Sequence, residues 1–416
     1  MSWSQLYMWD WLSQVRPYDQ QYNVRVELDT VSPVAVDDAV DLVAALVSRH
    51  ETLRTRYYSG PDGTIMQETG GNGAFNISIA PQILSTDQVA ATVNGRFDNF
   101  TGPQCHFTLI LDGTDVRKIL LTASHLALDG WSAGVLRQDF ADLTCGRARK
   151  MPTDLKHPVD RAEWELSSQG QEANQEGLAH WRRTLARVPR THFTRQMTSS
   201  LPRYRQVQVS SVAAGRAVRA LAIQNRIPRA AVPLAAFSRA VRSVTGNDQN
   251  AFWIVTHNRF KGGFRKSVGC FFRDTVVCLE ESPQPLLDTA RKLLDSLHWA
   301  NTNPRDVRQT LHNDDRASYL SVARSLYYNF EAHEFPSVAD FPLDRLEWTD
   351  GKDSESQILY LNARLEGECL TMRLMTDTWC VPQGAAEEIL QTCVQEVVQG
   401  MPPLPRAHQV DPAVTR

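Results

Sequence analysis

His125, Asp129 and Gly130 follow one another at short fixed spacing, directly after the apolar run Ile119-Leu120-Leu121-Thr122-Ala123 and Ser124. An imidazole in such a place could accept a proton from an attacking nucleophile, because its ordinary pKa of about 6.5 leaves it mostly neutral at pH 7. Asp129, four residues on, suits a structural partner of an arginine better than an orienter of the ring. The backbone N–H of Gly130 could meet a developing oxyanion, an interaction worth about 3 kcal/mol if well aimed. The bare pattern H-x-x-x-D-G recurs by chance in roughly a few chains per hundred of this length, and a lone histidine beside a strand is more often structural. Support has to come from the rest of the chain.

The flanking residues say what must position the histidine. Ile119 to Thr122 reads as a buried strand, and Ser132 reads as the N-cap of a helix whose apolar stripe is Val135, Leu136, Phe140 and Leu143. His125 then sits on a strand-to-helix turn, with Gly130 free to take a positive φ. The strand that delivers it is the second of a hairpin turning at Asp112-Gly113, preceded by an amphipathic segment from residue 85. Upstream, Ser4 to Leu12 predicts a helix closed by Pro17, Tyr22 to Leu28 a strand, and Asp37-Asp38 the start of a helix carrying Val40, Val43, Ala44 and Val47. The charged stretch that follows, Arg49 to Tyr57, reads by itself as a solvated helix end. From Ala141 to Gly170 the chain turns polar, with Pro152 and Pro158 as breakers, which places a boundary near residue 165. Beyond it Trp181 reads as a core anchor. Strands are expected at Gln206–Val212, Phe252–Thr256, Ser325–Phe330, Gln357–Ala363 and Leu370–Met375, and helices at Ala213–Gln224, Arg229–Val244 and Gln383–Val398. The expected organisation is 1–165, 166–400 and a tail, 401–416, in two similarly built α/β lobes.

Bulk properties narrow the function. The 416 residues are 42% hydrophobic and 22% charged with a net charge of −3, so nothing basic invites nucleic acid. No apolar run reaches membrane-spanning length, and the N-terminus lacks a basic region followed by an apolar one, so a cytoplasmic protein is expected. The seven cysteines are scattered without C-x-x-C spacing, which predicts reduced thiols and no metal site. Neither G-x-G-x-x-G nor G-x-x-x-x-G-K-[ST] occurs, so nucleotide activation is not expected of this chain.

Several segments together resemble one family. Arg49-His50-Glu51-Thr52-Leu53-Arg54-Thr55-Arg56-Tyr57 resembles the R-H-E-x-L-R-T-x-F signature of the condensation domains of nonribosomal peptide synthetases. Ser124 to Ser132 resembles their H-H-x-x-x-D-G-W-S core. Ser4-Gln5 to Trp9 with Pro17 and Asn23 looks like the opening motif, Val268-Gly269-Cys270-Phe271-Phe272 like the I-G-x-F-V-N segment, and the helix around Trp181 like Y-W-x-x-x-L. The likeness runs from near residue 3 to near residue 395.

The resemblance implies an α/β fold of two chloramphenicol-acetyltransferase-like lobes forming a V, with a tunnel between them. It implies a carrier protein delivering an acyl or aminoacyl thioester on its phosphopantetheine arm, no cofactor bound by the chain itself, and an acceptor, usually aminoacyl on a second carrier. His125, Asp129 and Gly130 take the family's catalytic positions, and Ser124, Trp131, Ser132, Arg273 and Asn329 are expected to line the tunnel or support it. Two departures stand out: Ser124 replaces the first histidine of the pair, and Arg273 and Asp274 replace the asparagine and threonine of the glycine segment, whose closing arginine falls near Cys278. Arg273 is therefore the expected partner of Asp129. Because the chain starts at the first motif and stops after the last, a free-standing enzyme acting in trans is expected. Arg16, Arg137 and Arg147 to Lys150 are the candidate carrier patch. The alternatives are a coenzyme A-dependent acyltransferase and a degenerate domain that only docks carriers.

Overall fold

The computed structural model describes residues 1–69, 75–81, 95–100, 102–147, 154–189, 191–193, 202–259, 262–280, 285–300, 325–333, 343–349 and 357–401. The amphipathic segment near residue 85, Arg149, Lys150 and nearly all of the tail lie outside them. Two compact units emerge, one of Met1–Ala179 with Thr256–Asp274, the other of His180–Val255, Thr275–Trp299 and the later elements.

The first unit begins with α1 (Trp3–Gln14), capped by Ser2 and Gln5 in a reciprocal capping box. Strand β1 (Val24–Val34), helix α2 (Val36–Arg49), and short strands β2 (Arg56–Ser59), β3 (Ile65–Glu68) and β4 (Asn76–Pro81) follow. Then come the hairpin β5 (Cys105–Asp112) and β6 (Asp115–Ala123), α3 (Gly130–Thr144), α4 (Pro158–Leu166) and most of α5 (Ser168–Leu185). The sheet order is β1-β6-β5-β4, antiparallel except for the parallel pair β4 and β5, while β2 and β3 pair separately. In β1, Val26 and Leu28 are buried between more exposed neighbours, the alternation of a strand with one covered face. Central β6 is buried without interruption from Ile119 to Ala123. Its Ile119 and Leu121 join Val43, Leu46, Phe107, Leu136 and Phe140 in one core, and Leu120 joins Ala80 and Ile110 in a smaller cluster. The hairpin turns as expected, with Gly113 at φ 68°.

The second unit continues with β7 (Tyr204–Ser211), α6 (Val212–Asn225), α7 (Ala231–Thr245), β8 (Gln249–Thr256), β9 (Arg273–Glu280) and α8 (Leu286–Ala300). It closes with β10 (Leu326–His333), β11 (Glu347–Thr349), β12 (Leu359–Glu366), β13 (Cys369–Asp377) and α9 (Gln383–Gln399). Its seven-stranded sheet has the order β11-β7-β13-β12-β10-β8-β9, with β10 parallel to β8 and β12 and the remaining described pairings antiparallel. Trp181 is a core residue, edge-on to Trp253 at 5.2 Å between ring centroids.

The division differs from the one expected at residue 165. Helix α4 is amphipathic and buries Pro158, Arg161, Ala162 and Glu165, and the Glu165 carboxylate accepts the Trp3 N–H at 2.6 Å. The polar stretch after Ala141 therefore stays with the first unit, which also takes back residues 256–274. No helix among the described residues is long and apolar enough to cross a membrane.

Candidate active site

The chain leaves β6 in a tight turn. The Ser124 N–H donates to the Gln104 carbonyl at 2.9 Å, the Ser124 carbonyl accepts from the N–H groups of Ala127 and Leu128, and its hydroxyl accepts the Leu126 N–H at 3.3 Å. Ser124 is 3% exposed and closes the turn on itself. Two hydroxyls brace the turn from below: Thr52 donates to the Ala127 carbonyl at 2.8 Å and Tyr57 to that of Leu126 at 3.4 Å. Thr52, Leu53, Thr55 and Tyr57 are buried, and the Arg49 guanidinium and His50 imidazole both reach Asp139 at 2.9 Å. The stretch from Arg49 to Tyr57 is thus the floor of the turn and not a solvated helix end, because its hydroxyls satisfy carbonyls that no regular element can.

His125 is half-buried, between a turn held by backbone bonds and the ring of Phe272, 5.0 Å away between centroids. Its Nδ1 is buried. Burial lowers its pKa, opposed by its own backbone, the Asp129 charge, the Leu128 backbone and the Asp274 charge. The ring is held neutral and able to accept a proton.

Asp129 is the N-cap of α3, in extended backbone geometry, with its Oδ1 accepting the Ser132 N–H at 3.0 Å. Ser132, expected as the cap, is instead in the first helical turn; its hydroxyl bonds Asp129 and the Gly269 backbone. Asp129 is also gripped by a forked guanidinium, Arg259, with Nη1 to Oδ2 at 2.7 Å and Nη2 to Oδ1 at 2.8 Å. The N–H groups of Phe271 and Phe272 complete Oδ2 at 2.9 and 3.2 Å. Both side chains of the ion pair are about sealed, each residue 1% exposed. Burial alone would raise the carboxyl's pKa, but Arg259 and these hydrogen bonds prevail and lower it.

Arg273 is therefore not the partner of Asp129. Its Nη1 donates to the Trp3 carbonyl at 2.9 Å and its guanidinium lies over the Tyr7 ring. Arg259 reaches Asp129 because it follows β8 directly, through Asn258 at φ 52°, and its remaining N–H groups end on the carbonyls of His257, Ser267 and Gly269. The usable signal was an arginine immediately after a buried strand, which needs a buried counter-charge.

Gly130 does not take a positive φ. It is the first helical residue of α3, exposed, and a Cβ added there would meet nothing within 4 Å. Trp131, 40% exposed, donates its indole N–H to the Arg265 carbonyl at 2.9 Å and stacks on His257 at 4.3 Å. Asn329 stands in the second unit, on β10, where its amide and that of Asn362 both donate to Glu331. Of the candidate carrier patch, Arg16 is exposed, Arg137 donates to the Glu27 carbonyl, and Arg147 pairs with Asp142.

Burial also depresses His50, and it depresses His180 and His257 to about 4, in the last case aided by Arg259. Below the ordinary histidine pKa the unfolded chain binds protons that the folded one refuses, so stability falls as pH drops from 7 toward 4. Each such group can contribute up to about 1.4 kcal/mol per pH unit across its window. Urea melts at pH 7, 6 and 5 should show a monotonic loss; equal midpoints would contradict the buried neutral imidazoles.

The family sequence model described as "Condensation domain" matches residues 2–294. The chain belongs to the condensation-domain family. Among curated relatives, the phosphinothricin tripeptide synthetase PhsC of Streptomyces viridochromogenes is 28% identical over 212 residues, 45% of this chain and 18% of that protein. The malpibaldin synthetase of Mortierella alpina is 23% identical over 70% of this chain and 6% of its own length, so this condensation domain spans less than a fifth of either relative. Its α/β fold matches a solved structure described as the molecular basis for condensation domain-mediated chain release from the enacyloxin polyketide synthase. That match has a TM-score of 0.74 at 16% identity and covers 100% of this chain and 84% of the other.

Proposed function

We propose that this condensation domain joins a carrier-protein-bound acyl or aminoacyl thioester to an amine or hydroxyl acceptor, with His125 handling the acceptor's proton. The observation that supports this most is the division of labour between the two titratable groups of the motif. Asp129 is saturated by Arg259 and backbone N–H groups, so it cannot act as a base, whereas His125 is held neutral by burial and is locked in no ion pair among the described residues. With Nδ1 buried, Nε2 is the nitrogen left for substrate.

For an amine acceptor, the nitrogen lone pair attacks the thioester carbonyl carbon. The C–N bond forms, His125 takes the N–H proton, the C–S bond breaks, and the proton ends on the departing thiolate as the carrier's free thiol. The Gly130 N–H, at the positive end of α3 and with open space beside it, suits the oxyanion. The phosphopantetheine arm belongs to the carrier, and the chain supplies no cofactor in this scheme. The relatedness to a tripeptide synthetase favours an aminoacyl or peptidyl donor.

The test is to mix the protein with acyl-loaded carrier and an amine, and to follow the carrier by intact mass. Loss of the acyl group should depend on both protein and acceptor. Equal turnover of acyl-coenzyme A, with no benefit from the carrier, would replace this reading with a coenzyme A-dependent acyltransferase. Carrier binding without any transfer would mark a docking domain.

A further inference from the structure

The carboxylate of Asp274, at the second residue of β9, is buried where the acid–base scheme makes no use of it. The Tyr7 hydroxyl of α1 donates to its Oδ2. The Tyr7 ring also meets the Phe272 ring edge-on, 6.1 Å between centroids, and Phe272 in turn covers His125 at 5.0 Å. One tyrosine touching both Phe272 and Asp274 puts these two side chains on the same side of their segment, the side that faces the imidazole. We propose that Asp274, oriented by Tyr7, is a positioning residue for His125: its negative charge stabilises the imidazolium that forms when the acceptor's proton is taken up. The inference rests on the reading of His125 as the base.

Of the other charged groups near the ring, Asp129 also raises the His125 pKa, ahead of Asp274, but its carboxylate is committed to Arg259 and the backbone around it. The Arg273 guanidinium is turned to the Trp3 carbonyl and the Tyr7 ring. The ring seen against the imidazole, Phe272, is apolar. The direction of the effect agrees with Asp274 acting against burial to make His125 more basic. Among nearby carboxylates, that is the ordinary action of an opposite charge on an imidazole.

The experiment is an NMR titration of the His125 ring in the full chain, for the wild type, Asp274→Asn and Tyr7→Phe, alongside the pH profile of acyl transfer from loaded carrier. Asp274→Asn should lower the His125 midpoint by about one pH unit. It should also carry the acid limb of the rate profile the same way and lower the plateau several-fold, since a weaker base assists less. Tyr7→Phe, which removes only the hydroxyl, should move the midpoint in the same direction by less. It supplies the measurement if Asp274→Asn folds poorly. An unchanged midpoint in a folded Asp274→Asn variant, or in Tyr7→Phe should that be the one that folds, overturns the inference. If the midpoint shifts but His125→Ala keeps wild-type turnover, the coupling stands and the base assignment fails, so the two readings are separately exposed.

Discussion

His125→Ala should lower turnover by about a hundredfold or more, the usual size of a positioned general base, while the protein still folds and binds carrier. The structure says why the fold should survive. The turn is held by the bonds of Ser124 to Gln104, Ala127, Leu128 and Leu126 and by the hydroxyls of Thr52 and Tyr57, none of which involves the imidazole. The imidazole is tied only to backbone of its own turn, at His125 and Leu128, so its removal leaves no side chain unpaired, and the main loss is contact with Phe272. That is a loss of about 1 kcal/mol, within the range of ordinary point substitutions. Single-turnover rates with loaded carrier, measured beside urea melts and carrier affinity, check both halves. Near-wild-type turnover would reduce the histidine to a lining residue and leave proximity of the reactants as the source of rate, which can itself supply about 7 kcal/mol or more.

What could be read in the sequence follows from the range of the interactions involved. The hairpin, β6 and the place of His125 after it are local: an apolar run and an Asp-Gly turn specify them, and the structure matches them. The cap of α3 is also local, yet Ser132 was expected and Asp129 found. Both residue types cap well and stand three apart, so the choice depends on which side chain has a second reason to be where it is. That reason is Arg259, 130 positions away, and sequence spacing carries no information about it. Arg273 was a reasonable candidate because it flanks the same glycine segment; only the chain path from β8 through Asn258 brings a different arginine beneath Gly269. The path itself explains the misplaced boundary, since residues 256–274 return to the first unit after the chain has entered the second. Gly269 shows the cost of such a return. A Cβ there would lie 2.5 Å from the Pro158 ring, so the segment can approach α4 only with a glycine, and no local pattern announces a neighbour more than a hundred residues away. The stretch from Arg49 to Tyr57 was misjudged by itself for a related reason: Thr52 and Tyr57 look like surface polar residues until the carbonyls they satisfy are in place.

Asp129→Ala should cost about 3 to 5 kcal/mol of stability, because it strands a guanidinium that is 1% exposed. It also removes the N-cap of α3, adding about 1 kcal/mol. Activity should fall with it, since Phe271 and Phe272 lose the carboxylate that anchors their N–H groups and Phe272 is the wall against which His125 rests. Arg259→Met should be milder than Asp129→Ala. It leaves the carboxylate with the Ser132 hydroxyl and the N–H groups of Ser132, Phe271 and Phe272, and it places an apolar chain of similar length against the Phe271 ring that the guanidinium now covers. The double variant should be more stable than the sum of the two losses predicts, by about 0.5 to 3 kcal/mol, because neither charge is then left buried alone. Acid separates the pair's charge from its shape. The lowered pKa of Asp129 means that its contribution is present above the ordinary aspartate pKa and is lost as pH falls through the lower folded value. Asp129→Asn, which keeps the side-chain outline, should therefore show a flatter loss of stability below pH 4 than the wild type. A fully additive double variant, or an Asp129→Ala protein within about 0.5 kcal/mol of the wild type, would show that the pair is not what holds the 256–274 segment against the start of α3.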